Sequence, residues 1–229
     1  MKVLTFSYDD GVKQDIRLIE LFNKYGMKAT FNLNSGLLGL KNEITCHGTT
    51  VRHDKVNAAD VAHIYAGHEI AGHTLTHPRL PSLSDEEVIR QVEEDRLALS
   101  ELCGYEVVGF AYPCGGENYN TRVSELLRTR TGVRYARTIR SCYDLQRQEN
   151  LFEFKPTLYH THDWDRVFEL SERFLSLPTE ADATLFIWGH SYEFDAYNSW
   201  GLFEEFLQMM ANRKDVVYAT NKEALLCKE

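Results

Sequence analysis

Long apolar runs are missing from this chain. Nowhere in its 229 residues does an apolar stretch approach the ~20 residues that a membrane-spanning helix needs. The opening segment, Met1 to Asp10, has no extended apolar core of the kind that heads a secretory signal. A cytoplasmic location is therefore the simplest expectation, although a truncated exported chain would read alike. Cysteine is sparse and scattered: Cys46, Cys103, Cys114, Cys142 and Cys227 are odd in number and include no CxxC pair. Neither a disulfide framework nor a cysteine zinc site is expected, and reduced thiols fit best. Basic excess is absent too, with 25 Lys and Arg against 34 Asp and Glu and a net charge of −9. That argues against a nucleic-acid partner. No repeat, low-complexity tract or Pro/Gly-rich linker interrupts the chain, so residues 1–229 read as a single domain.

What is present is an ordinary globular composition, 43% hydrophobic and 26% charged. Met1 to Phe6 predicts a buried first strand. Val12, Ile16, Ile19, Phe22 and Tyr25 then recur at helical spacing, with Gly26 as a stop. Ala29 to Leu33 alternates like a strand. Residues 35–56 lack a clear period and read as a long loop or hairpin insertion. Asn57 is a candidate cap for a short helix ending near Gly67, and Glu69 to Ala71 is a short strand. Ser84-Asp85-Glu86-Glu87 is a capping box that opens a helix closed by Gly104. Strands are expected at Val107–Tyr112, Tyr135–Ile139, Phe154–Tyr159, Thr184–Trp188 and Val216–Ala219. Helices are expected at Val123–Thr131, Val167–Leu177 and Leu202–Met210, with a second capping box at Thr220–Glu223. This alternation implies an α/β fold with a mostly parallel sheet. Polar clusters after several strands favour a barrel, whose site is built at the C-terminal ends of its strands.

Four such clusters carry chemistry. Asp9 and Asp10 end the first strand. Adjacent acids repel, so a pair beside a buried strand asks for separate partners. His73 and His77 follow the strand at Glu69, and Pro78 biases His77 away from helical geometry. Two imidazoles with one carboxylate make a familiar catalytic zinc set, and the second carboxylate is then free to act as a base. The cation would relieve the repulsion between the acids. Tyr112-Pro113-Cys114-Gly115-Gly116 is a turn whose backbone N–H groups could hold an oxyanion. Trp188-Gly189-His190 ends a buried apolar strand, and His190 there is a candidate general acid. Tyr192, Phe194, Tyr197 and Trp200 follow as candidates for stacking on sugar rings or for packing a helix.

Together these clusters resemble the polysaccharide deacetylase family, also called the NodB homology or carbohydrate esterase 4 family. Thr5-Phe6-Ser7-Tyr8-Asp9-Asp10-Gly11 is similar to its first motif and His73 to His77 to its second. Gly109 to Pro113 and Ile187 to His190 match later ones. The resemblance implies a distorted barrel of seven or eight parallel strands. It implies that Asp10, His73 and His77 hold a divalent metal, usually zinc, with cobalt, nickel or manganese as alternatives. Asp9 would be the base, His190 the acid and the Cys114 N–H the oxyanion donor, with Tyr112, Pro113 and Trp188 beside them. The substrate would be an acetylated carbohydrate.

The chain departs from the family in three places. The first motif holds extra residues at Ser7-Tyr8. Ala111 stands where the family places an arginine that steadies the base. The fourth motif, Asp-Trp, has only Asp163-Trp164, or Asp144, to offer. His160 and His162 are candidates for the mouth of the site or for plain surface. Two other functions are open at this stage: a related amidohydrolase acting on a non-sugar C–N bond, as allantoinase-like relatives do, and a non-catalytic carbohydrate-binding barrel.

Overall fold

The opening apolar stretch forms β1 (Lys2–Asp9), every residue of which is buried. Its polar and apolar residues alternate, so Leu4, Phe6 and Tyr8 share one face and Thr5, Ser7 and Asp9 the other. The computed structural model describes residues 1–161 and 164–226. After β1 come α1 (Asp15–Lys24), β2 (Thr30–Leu33), and a hairpin of β3 (Glu43–Cys46) and β4 (Thr49–Arg52). Then follow α2 (Val61–Ile64), β5 (Glu69–Gly72), α3 (Asp85–Cys103), β6 (Gly109–Ala111), α4 (Thr121–Arg130) and β7 (Tyr135–Arg137). The chain finishes with β8 (Leu158–Tyr159), α5 (Trp164–Ser176), β9 (Ala183–His190), α6 (Tyr192–Ala196), α7 (Trp200–Met210), β10 (Val216–Ala219) and α8 (Asn221–Leu226).

The main sheet runs β7-β6-β5-β2-β1-β9-β8, and every described pairing within it is parallel. β1 is its centre: β9 lies along the whole of one side, while β10 and then β2 share the other. The sheet curls until Arg137 of β7 bridges Phe154, just ahead of β8. The expected distorted barrel is thereby borne out. The apolar face of β1 packs outward, with Phe6 against Phe22 of α1 (4.8 Å between centroids) and against Phe203 and Phe206 of α7. Among the described residues no helix is long and apolar enough to cross a membrane.

The second capping box forms in full and the first only in its N-cap half, because the Glu87 carboxylate turns to Arg90 and Gln91. Ser84 Oγ accepts from the Glu87 N–H at 3.3 Å, and Thr220 and Glu223 cap each other at 3.2 and 2.9 Å. Gly104 closes α3 with φ 77°, a conformation glycine adopts without a Cβ clash. Asn57 does not cap its helix; its side chain donates to Asp60 instead. Residues 35–56 take the hairpin option. α6 was not expected, because Tyr192-Glu193-Phe194-Asp195-Ala196 alternates apolar and acidic residues with a strand's period. Phe194 and Trp200 are buried, with Phe194 stacked on His160 at 4.4 Å and Arg17 over Trp200. Of the aromatics after His190, these two pack helices rather than meet solvent.

α1 begins with Asp15, a fully buried acid that accepts from Ser191 Oγ (2.6 Å) and Tyr65 OH (2.7 Å). Burial pushes its pKa up to about 7, against those two hydrogen bonds. The folded state therefore holds a proton that the unfolded chain releases near pH 4. Stability from this group is complete below the unfolded pKa and is lost as pH rises through 7. Asp15→Asn is expected to flatten that loss. Between pH 5 and 8 the wild type should lose roughly 2–3 kcal/mol more than the variant, as read by urea unfolding at the two pH values.

Candidate active site

The barrel brings the sequence clusters to one end. Asp9 and Asp10 leave β1, His73 follows β5, Cys114 follows β6 and His190 ends β9. They line one cavity of about 620 Å³ with His77, Tyr112 and Trp188. The turns that aim them are unusual. Asp10 (φ 85°), Thr74 (φ 69°), His77 (φ 60°) and Cys114 (φ 70°) all sit in the left-handed region, which costs such residues free energy and marks built sites. His77 precedes Pro78, so its avoidance of the right-handed helical region was legible in the sequence.

Asp10, His73 and His77 offer ligand atoms within 4.8 Å of one another, the only such set of three among the described residues. The chemistry of the donors fits a metal. His73 Nδ1 pairs with the Ala111 carbonyl at 2.8 Å, which assigns it the proton and leaves the Nε2 lone pair free. Burial pushes His73 down to about pKa 4 and lowers His77, so both imidazoles are neutral and able to ligate. The loop that carries them is held from behind. Asp95 of α3 accepts from the His73 N–H (3.0 Å), and Asn34 donates to the carbonyls of His73 and Thr74. Asp10 itself meets His53 Nε2 at 3.1 Å through Oδ2, and Lys55 Nζ at 3.4 Å through Oδ1. Burial would raise its pKa, but Lys55 and His53 outweigh that and hold it well below the carboxylate range.

Asp9 has different partners. Arg137 Nη2 donates to both of its oxygens, at 2.6 and 2.5 Å, and Asn32 Nδ2 adds a third bond at 2.8 Å. Arg137 also donates to Ser7 Oγ and lies 4.4 Å over the Trp188 ring. Burial opposes the carboxylate, and the guanidinium overcomes it, so Asp9 stays ionised with a lowered pKa. Thus the guanidinium missing at position 111 is supplied from β7. Asp9 Oδ2 lies 3.9 Å from His73 Nε2, beside the candidate ligand set.

His190 faces the cavity from β9, and a carboxylate three residues on supports it. Glu193 Oε2 lies 3.3 Å from His190 Nδ1 and accepts its backbone N–H at 3.2 Å. Tyr159 OH bonds both His190 Nδ1 (3.2 Å) and Glu193. Burial alone would depress His190, but Glu193 raises it to about 9, and Glu193 in turn is held near 2. Gly189 is required here, since a Cβ would lie 2.2 Å from the His160 ring packed behind the strand.

Other sequence candidates fall elsewhere. Trp164 packs against Phe168 and Phe203 and does not line the cavity. Asp144 accepts from the Gln146 N–H outside it. His160 is fully buried, bonded to Tyr8 OH, so it is neither mouth nor surface. Asp163, His162 and Cys227 lie outside the described residues. Pro113 is buried beside the cavity without lining it. Cys114 has the imidazole neighbour that the sequence did not reveal, with Sγ 3.8 Å from His77 Nδ1.

The curled parallel sheet with its helices is a fold shared with solved esterases and deacetylases. A family 4 acetyl xylan esterase from Clostridium thermocellum, solved with a cobalt ion, superposes with TM-score 0.61 at 13% identity, covering 97% of this chain and 89% of that one. A family 4 carbohydrate esterase from Streptomyces lividans, in complex with acetate, gives 0.57 at 14%, covering 95% and 91%. A peptidoglycan deacetylase from Bacillus subtilis gives 0.57 at 17%, covering 98% and 90%. At these identities the likeness is one of fold. No curated protein sequence matches the chain at a significant level. The family model described as Polysaccharide deacetylase matches residues 1–136. The chain belongs to the polysaccharide deacetylase family.

Proposed function

We propose that the protein is a divalent-metal-dependent hydrolase that removes N-acetyl or O-acetyl groups from a carbohydrate. One observation carries this reading: the convergent Asp10, His73 and His77 share a cavity with a second, separately held carboxylate and with an imidazole paired to Glu193. A divalent cation held by those three residues would acidify water and polarise the acyl carbonyl. Asp9, kept anionic and oriented by Arg137 and Asn32, accepts the proton of the attacking water. In this reading the N–H of Cys114, a cavity-lining residue on a left-handed turn, donates to the developing oxyanion. His190, cationic up to about pH 9, donates to the leaving nitrogen or oxygen. Tyr112 and Trp188 form walls, and the Trp188 ring is backed by the Arg137 guanidinium at 4.4 Å.

The test measures bound metal and acetate release on the same protein, with and without added zinc, against N-acetylated chito-oligosaccharides and acetylated xylan fragments. About one metal per chain, with acetate release abolished by a chelator and restored by metal, is the expected result. Metal bound but no acetate from any sugar, with turnover of a ureide run in parallel, would replace this reading by hydrolysis of a non-sugar C–N bond. Sugar bound without metal and without hydrolysis would make the protein a binding barrel.

A further inference from the structure

We infer that the site takes the terminal residue of a short acetylated oligosaccharide and does not straddle the interior of a polymer. This inference rests on the deacetylase reading above and specifies its substrate class. The cavity is closed on one side by the insertion between β2 and β5. Leu37, Leu40, Asn42 and Ile44 line it from that side. Ile44 and Cys46 are half-buried while Glu43 and Thr45 are exposed, so one face of the hairpin turns inward.

The hairpin is a wall rather than a loose flap, because it is tied at root, flank and tip. At the root, His53 and Lys55 donate backbone N–H groups to the carbonyls of Asn42 and Leu40, both at 2.8 Å. The same segment reaches the loop after β1, where Lys13 N–H donates to the Asp54 carbonyl (2.8 Å) and Val56 N–H to Gly11 (3.0 Å). On the flank, Gln14 Nε2 donates to the Arg52 carbonyl at 2.8 Å. At the tip, the His47 ring lies 5.0 Å from Tyr197. Moving the wall would also break the contacts of His53 and Lys55 with Asp10, so its position is locked to the catalytic floor.

Away from the hairpin, at the end of β7, the cavity continues. Ile139 lines it and also lines two neighbouring cavities, of about 420 and 210 Å³. The first holds Tyr119, Asn120, Arg140 and Glu153, and the second holds Tyr143 and shares Tyr159 and Trp188 with the catalytic cavity. Flat aromatics with carboxamide, acid and guanidinium edges suit sugar faces and hydroxyls. A chain bound at the catalytic residues therefore has room to leave past Ile139 and none to leave through the hairpin. An interior sugar needs an exit at both ends, whereas a terminal sugar needs one. One water is consumed per turnover, the C–N bond of the terminal acetamide breaks, and acetate and the free amine result.

The experiment uses the metal-loaded wild type with N-acetylglucosamine oligomers of two to six units and with the long polymer at equal acetyl concentration. Products are located by tandem mass spectrometry. Loss of a single acetyl, at one terminal sugar, is expected, with at least about tenfold less acetate from the polymer. A second protein joins Asn42 to His53 through an Asn-Gly turn, which suits the paired backbone at that point and keeps His53 and Lys55. Its melting temperature is checked first, and a milder Leu40→Ala, Ile44→Ala variant is carried alongside. Opening the wall should yield products deacetylated at interior positions. Interior deacetylation by the wild type, or equal rates on oligomer and polymer, overturns the inference and leaves the deacetylase reading standing. Absence of acetate from every sugar of every length overturns both.

Discussion

Replacing Arg137 with methionine is expected to destabilise the metal-free protein by about 3–5 kcal/mol at neutral pH, the cost of leaving a buried charge without its partner. Arg137 and Asp9 are both essentially inaccessible, with side chains 1% and 2% exposed, so solvent cannot replace the lost bonds. The pH dependence separates this from a simple packing defect. In the wild type Asp9 is held below its ordinary pKa, so its contribution is present above the unfolded value near 4 and is lost as pH falls through the folded one. Without Arg137, burial becomes the largest influence and raises the Asp9 pKa. The variant should therefore lose more stability than the wild type as pH climbs from about 4 to 7, beyond the loss that both share through Asp15. Urea unfolding at several pH values reads both curves, and a gap that stays constant with pH would show that only packing had been lost. Asp9→Asn combined with Arg137→Met should recover part of the loss, because the stranded charge is gone. Turnover should fall with Arg137→Met as well, since the base would be partly protonated and free to rotate.

The sequence announced Asp9, Asp10, His73, His77 and His190 because each lies at the end of a strand whose pattern is local. Five short spacings suffice to place them on one rim once the sheet is known to be parallel. What supports them was not legible in the same way. Arg137 is 128 positions from Asp9, and only the curl that brings β7 round towards the interior of β1 makes them partners. One signal was there, a lone arginine inside the apolar run Tyr135 to Ile139. A cation in a buried strand is costly unless something answers it. The alternation along β1 told the same story from the other side, since Thr5, Ser7 and Asp9 form a polar column that must find partners inside the barrel. The fourth motif is a different case. Asp163 lies outside the described residues and Trp164 packs away from the cavity, while the carboxylate beside His190 is Glu193, delivered by the first turn of a helix whose alternating Tyr192-Glu193-Phe194-Asp195-Ala196 has a strand's period. His53 and Lys55 sat in a stretch without period, and their role depends on the register of a hairpin that propensity does not fix.

Glu193 is where the largest change in pH behaviour is expected. His190 is squeezed between two opposed effects: burial disfavours its cation, and the adjacent carboxylate favours it enough to reach about 9. Removing the carboxylate leaves burial unopposed. In Glu193→Gln the imidazole should therefore titrate below its ordinary value near 6.5. If His190 is the acid, the descending limb of the kcat profile, expected near 9 in the wild type, should move down by at least about two units. With the imidazole below 6.5, that amounts at pH 8 to a loss of roughly 30-fold or more, and at pH 6 to much less. The same pair governs stability. The His190 contribution is complete below its unfolded pKa and fades as pH rises through 9, whereas that of Glu193 is complete above its unfolded pKa and fades as pH falls through 2. Their sum is greatest between about pH 4.5 and 6.5, and Glu193→Gln should remove that maximum. Tyr159→Phe supplies the contrast. It deletes a hydrogen bond to both partners and leaves the carboxylate in place, so turnover should drop while the descending limb stays close to 9. A Glu193→Gln enzyme that kept its limb near 9 would show that the protonated group lies elsewhere, and His190 would then be a structural neighbour of the cavity rather than its acid.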